Sequence, residues 1–286
     1  MAKRRTAPAL AARKVGTGAD PIVMVTAYDY PSARAVDATD ADMILVGDSL
    51  AMVVLGHDDT LSVTVDDMAY HTAAVARAKP KQLIVGDLPW MSYHVSVEDT
   101  VRNAARLVRA GAGAIKLEGG TERVPMIEAL ISAQIPVMGH IGLTPQSVHA
   151  MGGFKVQGKS AEAAMALVEE AKALQAAGCF SIVLEGVPRR VADLVTESLD
   201  IPTVGIGAGP GCDGQVLVFH DLLGLQDDFI AKFVRQYANL KADTISALDA
   251  YVADVRSGSF PNDDESYHIA DDEAEAITLY GKQHDE

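Results

Sequence analysis

Residues 83–87 of the chain have the sequence LIVGD, in which three consecutive apolar residues precede a glycine and a carboxylate. Seven further short runs, also rich in β-branched residues, occur along the chain without alternating polar and apolar positions. Runs of this kind are typical of strands that are buried on both faces, as in a parallel sheet. The eight predicted strands comprise residues 22–26, 43–46, 83–85, 114–117, 136–138, 182–184, 203–206 and 216–219.

The segments between these strands carry apolar residues at helical spacing, most clearly in residues 97–110 and 160–177. Ser96 and Ser160 are suited to begin these two helices, because a serine side chain accepts a hydrogen bond from an unpaired amide of the first turn. Eight strands that alternate with helices over about 220 residues predict an α/β fold, specifically a (β/α)8 TIM barrel. A doubly wound open sheet is the alternative architecture.

The chain is acidic, with a formal net charge of −15 over 286 residues. Because it lacks a Lys/Arg-rich stripe, this charge argues against binding to nucleic acid or to an anionic membrane surface. Cys179 and Cys212 form no CxxC motif, so the sequence predicts neither a disulfide framework nor a thiolate zinc site. We therefore expect a reducing, cytoplasmic location.

Domain organisation is predicted from the absence of a linker or a composition break before about residue 260. The sequence therefore predicts one barrel domain over residues 1–286. Its acidic end, from about residue 269 to 286, is interpreted either as a loose tail or as a short helix packed on a neighbour.

Polar residues follow the predicted strands, at the positions where a parallel barrel carries its reactive groups. They comprise Tyr28, Asp29, Asp48, Ser49, Asp87, Lys116, Glu118, His140 and Glu185. Carboxylates crowded together repel one another unless a cation or a proton lies between them. An all-oxygen set without thiols favours Mg2+ over Zn2+. For any single carboxylate, the alternative role is a cap on the helix that follows.

Two glycine-rich segments match nucleotide-binding patterns, but neither stands between a strand and a helix as such patterns require. Residues 153–160, GFKVQGKS, match a phosphate loop, but residues 142–152 separate them from the preceding predicted strand. Residues 209–214, GPGCDG, match GxGxxG, but a strand-like run follows them instead of a helix. We therefore expect neither an NTPase nor a dinucleotide-binding protein.

Nine segments carry a more specific pattern, in this order along the chain: TAYDYPSA (26–33), LVGDSLAMVVLG (45–56), TVDDMAYH (64–71), GDLPWMSY (86–93), GAIKLEGG (113–120), GHIGLTPQSV (139–148), GGFKVQGK (152–159), VLEGVP (183–188) and GIGAGPGCDGQVLVFHDLLGL (205–225). Over about residues 10–268 the chain resembles the ketopantoate hydroxymethyltransferase family. The resemblance implies a (β/α)8 barrel of the phosphoenolpyruvate/pyruvate type. It also implies transfer of a hydroxymethyl group from 5,10-methylenetetrahydrofolate to 3-methyl-2-oxobutanoate, giving 2-dehydropantoate for pantothenate and coenzyme A biosynthesis.

The same resemblance implies a Mg2+ cofactor and a set of site residues. Asp48 and Asp87 match the metal ligands, and Glu118 completes the metal environment directly or through water. The substrate-binding residues that it implies are Asp48, Ser49, Asp87, Lys116 and His140. Glu185 matches the catalytic base, while His140 either carries a proton or only forms hydrogen bonds in the pocket. The family also implies a homo-oligomer, typically a decamer.

The sequence differs from the family pattern at residue 90, and three alternative functions compete with this interpretation. Trp90 replaces an expected phenylalanine and could reshape the folate side of the pocket. A lyase or mutase of the phosphoenolpyruvate/pyruvate type would share the Mg2+ and enolate chemistry, but neither Cys179 nor Cys212 suits the catalytic cysteine of such a lyase. A catalytically silent binding barrel and a nucleotide-dependent switch built on residues 153–160 are the other two.

Overall fold

The computed structural model describes residues 4–14, 18–226 and 230–282, with side chains as far as residue 277. The chain divides into two compact units, Met1–Ala238 and Asn239–Glu286. A single domain over residues 1–286 stays a prediction.

Eight parallel strands form a closed barrel in which each strand pairs with its neighbours in sequence order. They are β1 (Ile22–Thr26), β2 (Met43–Val46), β3 (Leu83–Asp87), β4 (Ala114–Lys116), β5 (Val137–Gly142), β6 (Ser181–Glu185), β7 (Thr203–Ile206) and β8 (Gly214–Leu217). The barrel closes where β1 pairs with β8, with Ile22 opposite Gly214 and Val25 opposite Leu217. The predicted (β/α)8 barrel is confirmed.

The last strand begins two residues earlier than the predicted segment 216–219 and ends at Leu217. Gly214 packs so closely on β1 that a Cβ atom there would lie 2.5 Å from the carbonyl oxygen of Ile22. Pairing therefore starts at a glycine that the apolar pattern does not mark. At its other end, Val218 occupies the position just before the following helix instead of continuing the strand.

The helices of the larger unit alternate with the strands. They are α1 (Ala7–Ala11), α2 (Tyr30–Asp37), α3 (Leu50–Val53), α4 (Val65–Arg77), α5 (Val97–Ala110), α6 (Val124–Ser132), α7 (Val148–Met151), α8 (Ala161–Ala176), α9 (Arg189–Glu197) and α10 (Phe219–Leu223). The two predicted caps are confirmed, because Ser96 Oγ accepts from the amide of Asp99 and Ser160 Oγ accepts from the amide of Ala163, each at 3.1 Å.

The core has two layers, one between the strands and the surrounding helices and one inside the barrel. Leu10 of α1 is buried in the inner layer together with residues at the beginning of several strands. Arg5 lies 2.9 Å from the Asp42 carboxylate, and Arg13 also pairs with Asp42, just before β2. Helix α1 therefore closes the N-terminal end of the barrel, which leaves the C-terminal end as its open mouth.

The smaller unit is helical. It contains α11 (Leu240–Ser257), a 3-10 turn (Asp263–Glu265) and α12 (Asp271–Lys282). Asn239 caps α11 by accepting from the amide of Ala242 at 3.3 Å. The acidic end from about residue 269 to 286 is thus helical over most of its described part. No helix within the described ranges combines the length and the apolar character needed to cross a membrane.

Candidate active site

A cavity of about 270 Å³ opens at the C-terminal ends of the barrel strands. Its polar floor brings together every residue predicted for the site, namely Asp48, Ser49, Asp87, Lys116, Glu118, His140 and Glu185. Its rim is largely apolar and includes Met52, Leu143, Phe154 and Phe233. Trp90 is exposed and is not among the residues that line this cavity.

Two other polar residues at strand ends have different roles. Asp29 caps α2, since its carboxylate accepts from the amide of Ser32 at 2.8 Å, so the capping alternative is correct for this residue. The Tyr28 hydroxyl lies 2.9 Å from Ser49 Oγ, in hydrogen-bond contact. Tyr28 therefore orients a side chain of the cavity floor.

The Asp48 and Asp87 carboxylates are buried next to each other. Asp87 is the last residue of β3, and the amide of Asp48 donates to Asp87 Oδ2 at 3.3 Å. Burial, followed by the charges of Asp87 and Glu118, raises the pKa of Asp48 well above its usual value. Burial also raises the pKa of Asp87, although the Lys116 ammonium opposes this shift. Both carboxyl groups of the pair are therefore harder to ionise than an exposed aspartate, and a cation bound between them would favour their charged forms.

Lys116, the last residue of β4, is the cation closest to this pair. Its Nζ lies 2.6 Å from Asp87 Oδ1, and both side chains are almost fully buried. Burial alone would lower the pKa of Lys116, but the carboxylates of Asp87 and Glu118 raise it above its ordinary value. Lys116 is therefore charged, and only one of its three N–H donors is used by Asp87.

His140 lies between two carboxylates. Its Nδ1 is 3.2 Å from Glu118 Oε1, and its Nε2 is 3.3 Å from Glu185 Oε2. These are ion-pair distances, but neither nitrogen has the angles of a hydrogen bond. Burial opposes protonation, yet the interactions with Glu118 and Glu185 together outweigh it and raise the pKa of His140 to about 9. In turn His140 lowers the pKa of Glu118, whose burial alone would raise it. A protonated imidazole thus links the two glutamates at neutral pH.

Gln146 and Tyr93 belong to the site, although the sequence analysis did not select them. Gln146 Nε2 donates to Asp48 Oδ2 at 2.9 Å, and its backbone amide donates to Glu118 Oε2 at 3.0 Å. The Tyr93 hydroxyl donates to Gln146 Oε1 at 2.6 Å and accepts from the amide of Glu118 at 3.1 Å. Neither residue is charged or follows a strand directly, so no rule for a single sequence distinguishes them from ordinary core residues.

The donor set suits Mg2+ better than a metal that is enclosed by protein ligands. Among the described residues, no three His, Cys, Asp or Glu side chains form a ready-made metal site. Mg2+, however, is usually held by one or two carboxylates, with water and substrate oxygens completing the coordination. Asp48 and Asp87 meet that requirement. Glu118 differs from them, because its two oxygens contact His140 and Gln146.

The two glycine-rich segments lack the arrangement of strand, loop and helix that nucleotide-binding loops need. Residues 153–160 follow α7 instead of a strand, and Ser160 serves as the cap of α8. Residues 209–214 lead directly into β8, so the segment is followed by a strand and not by the helix that a dinucleotide-binding loop requires.

Comparison with known proteins identifies the family. The family model for ketopantoate hydroxymethyltransferase matches residues 4–263. The 3-methyl-2-oxobutanoate hydroxymethyltransferase of Pelobacter propionicus is 57% identical over 248 residues, which cover 86% of this chain and 92% of that relative. The enzyme of the same name from Clostridium botulinum is 55% identical over 260 residues, covering 91% of this chain and 94% of that relative.

Solved structures with the same fold are much less similar in sequence. A 2,3-dimethylmalate lyase, a member of the PEP mutase/isocitrate lyase superfamily, aligns with a TM-score of 0.58 at 18% identity and covers 96% of this chain and 99% of its own. A phosphonopyruvate hydrolase aligns with a TM-score of 0.60 at 13% identity and covers 98% and 96%. These two proteins support the barrel type alone. The family match and the identity to curated relatives go further: the chain belongs to the ketopantoate hydroxymethyltransferase family and is an enzyme of the hydroxymethyltransferase class.

Proposed function

We propose that the chain transfers a hydroxymethyl group from 5,10-methylenetetrahydrofolate to 3-methyl-2-oxobutanoate, giving 2-dehydropantoate for pantothenate and coenzyme A biosynthesis. Family membership supports the acceptor and the group transferred. The observation that carries the mechanism is the convergence of Asp48, Asp87, Lys116 and Glu185 on one cavity floor. Such a floor combines a place for a divalent cation, a positive charge for the substrate and a free carboxylate base.

Asp48 and Asp87 are the proposed ligands of Mg2+, and Glu118 takes part through water. When bound, the ion supplies the Lewis acidity that makes a 2-oxo acid more acidic at C3. The support for this assignment is that the two aspartates are buried together, and that burial and the neighbouring carboxylates raise the pKa of Asp48. Gln146 fixes the orientation of the Asp48 carboxylate, and Lys116 fixes that of Asp87.

Lys116 and Ser49 are the proposed contacts to the 2-oxo acid. The ammonium group of Lys116 attracts the substrate carboxylate, and a point charge with several free donors is sufficient for that role. Ser49 is held by the Tyr28 hydroxyl at 2.9 Å, so it offers a hydrogen bond of fixed direction. His140, which lines the same cavity, completes the substrate-binding set.

Glu185 is the proposed general base. Its carboxylate ends β6, lies in the cavity lining and stays partly accessible, unlike the fully buried Asp48 and Asp87. Because His140 lies 3.3 Å from one of its oxygens, the orientation of Glu185 is restricted while the other oxygen can accept the C3 proton. The carbon nucleophile that results forms a C–C bond to the one-carbon unit of the donor. Water supplies the oxygen of the new hydroxyl group, both C–N bonds of that unit break, and tetrahydrofolate leaves.

A proton-exchange experiment tests this proposal without the donor. The protein is incubated in D2O with 3-methyl-2-oxobutanoate and Mg2+, and the loss of the C3 proton signal is followed by NMR. We expect exchange that requires Mg2+, that stops with a chelator, and that falls by about 10²-fold or more in Glu185→Gln. Glu128→Gln, an exposed glutamate on α6, is the matched control and should exchange at the wild-type rate.

Exchange that persists in Glu185→Gln would show that another group is the base. Exchange that is absent with the wild-type protein, both without and with methylenetetrahydrofolate, would contradict the proposed substrate. Exchange that begins only when methylenetetrahydrofolate is added would mean that donor binding precedes removal of the proton.

The setting of the enzyme is part of the same proposal. We expect a cytoplasmic homo-oligomer, in the form of a decamer, with small-molecule substrates and with neither nucleic acid nor membrane as a partner. The acidic charge of −15 supports the last two expectations. Light scattering during size-exclusion chromatography measures the number of chains directly.

A further inference from the structure

The rim of the catalytic cavity carries two phenylalanines whose rings are only partly covered. Phe154 is 51% exposed and Phe233 is 41% exposed, yet both line the cavity that contains the catalytic carboxylates. The polar floor has the groups that a small 2-oxo acid needs, but that acid has no flat ring to cover two aromatic side chains. A second, aromatic molecule in the cavity would bury them.

Phe233 is held in place by a glycine in the segment after β7. A Cβ atom at Gly207 would lie 2.7 Å from Cδ1 of the Phe233 ring, and Gly207 has a φ of +61°. Only a glycine allows the ring to approach the backbone this closely. Phe154 follows Gly152 and Gly153, which also have positive φ values, so both rings are placed by glycine-dependent backbone.

A carboxylate lines the same cavity as the two phenylalanines. Asp221, in the first turn of α10, is half-buried, and its carboxylate makes no side-chain hydrogen bond or ion pair with any residue in the described ranges. Burial raises the pKa of its carboxyl group, as expected when no donor compensates the loss of water. A carboxylate in this position is an acceptor that lacks a donor.

We propose that Phe154, Phe233 and Asp221 bind the reduced pterin ring of the one-carbon donor. The 2-amino-4-oxopyrimidine part of a pterin has two adjacent N–H donors, which match the two oxygens of one carboxylate. Its flat ring system matches an aromatic wall. Because these groups lie on the rim, the ring approaches from the side of the cavity opposite the metal-binding floor. This inference rests on the proposed function and specifies its donor site.

Steady-state kinetics of three variants, Phe154→Ala, Phe233→Ala and Asp221→Asn, test the site. We expect the KM for methylenetetrahydrofolate to rise by at least about tenfold in each, because ring burial or a charged acceptor is lost. In the donor-free exchange assay, the KM for 3-methyl-2-oxobutanoate should change by less than about twofold. A variant that only disturbs the fold would change both values together.

The same two segments offer matched controls. Val156 is 45% exposed and Ile230 is 50% exposed, and neither is among the residues that line the cavity. Val156→Ala and Ile230→Ala should therefore keep the wild-type KM for the donor. A ring-only probe, 6-methyltetrahydropterin, should inhibit the wild-type enzyme in competition with the donor and should lose potency in Phe154→Ala, Phe233→Ala and Asp221→Asn.

Three outcomes separate the inference from the proposed function. If the wild-type protein exchanges the C3 proton but forms no product with methylenetetrahydrofolate, the proposed donor is wrong. If product forms and the three variants keep the wild-type KM for the donor, the donor site proposed here is wrong while the function stands. If the ring-only probe inhibits all variants equally, Asp221 and the two phenylalanines do not contact the pterin.

Discussion

At the scale of single residues, Gln146 connects the parts of the site that the proposed mechanism needs. Its side chain holds Asp48, its backbone amide holds Glu118, and Tyr93 holds its amide oxygen. Three buried polar groups thus depend on one uncharged residue. Removing one partner of a buried hydrogen bond leaves the other group without compensation, which costs about 1–3 kcal/mol per group.

Gln146→Met should therefore weaken the binding of Mg2+ more than it weakens the fold. We expect the Mg2+ concentration for half-maximal proton exchange to rise by about 10–100-fold, because Asp48 loses the group that orients it. A Mg2+ titration of the exchange rate measures this shift. Gln134→Met, at an exposed position, is the control. An unchanged Mg2+ dependence in Gln146→Met would mean that Asp48 is not a ligand.

The residues of the cavity floor were predictable because strand ends and charge mark them. Asp48 and Asp87 each come one glycine after an apolar run, and Glu185 follows such a run directly. Parallel strands bring these positions to one edge of the barrel. Gln146 and Tyr93 were not predictable in this way. Their position depends on how the segments after β3 and β5 fold over the mouth, and the apolar pattern of one sequence does not encode that path.

At the scale of elements, α1 contributes to stability from the end of the barrel opposite the site. Leu10 is buried in the inner core layer, so Leu10→Ala should destabilise the protein by about 2–5 kcal/mol. The KM for 3-methyl-2-oxobutanoate should stay at the wild-type value well below the melting temperature. Urea unfolding and a thermal melt measure the loss. Leu194→Ala, at an exposed position of α9, should lower the free energy of unfolding much less. An equal loss in both variants would contradict the role of α1 in closing the N-terminal end of the barrel.

Element boundaries show where a local pattern is insufficient. The predicted strand 136–138 is observed as Val137–Gly142, because β5 pairs with β6 from Met138 opposite Ser181 to Gly142 opposite Glu185. Two glycines and His140 interrupt the apolar run, so sequence periodicity ends the strand early. Pairing with the neighbouring strand overrides that local signal and places His140 inside the barrel mouth.

At the scale of the whole molecule, both cysteine thiols report on global unfolding. Cys179 and Cys212 are buried, and burial raises the pKa of Cys179 to about 12 and that of Cys212 in the same direction. The thiolate is the reactive form, so native protein at pH 8 should react slowly with a thiol reagent. Protein unfolded in urea should react at both sites. Rapid labelling of the native protein would show that the barrel opens locally.

The same shifts give the sign of one pH dependence. In the unfolded chain a thiol has its ordinary pKa of about 8.5, whereas the buried thiols of the folded chain are still neutral at that pH. Because the unfolded chain then binds fewer protons than the folded chain, the stability due to the buried thiols declines as the pH rises above about 8.5. Urea unfolding at pH 7 and at pH 10, compared with that of Cys179→Ala, isolates this contribution.

The contacts of the N-terminal segment at the closed end of the barrel also have a consequence for biosynthesis. Lys14 donates to the carbonyl of Thr196 and lies 2.8 Å from the Asp213 carboxylate, so a residue made early binds residues made about 200 positions later. While the ribosome is translating the first seven strands, this N-terminal segment has no complete binding site. We therefore expect the barrel to stay open until Asp213 and β8 have left the exit tunnel, so that closure of the ring is a late event of folding.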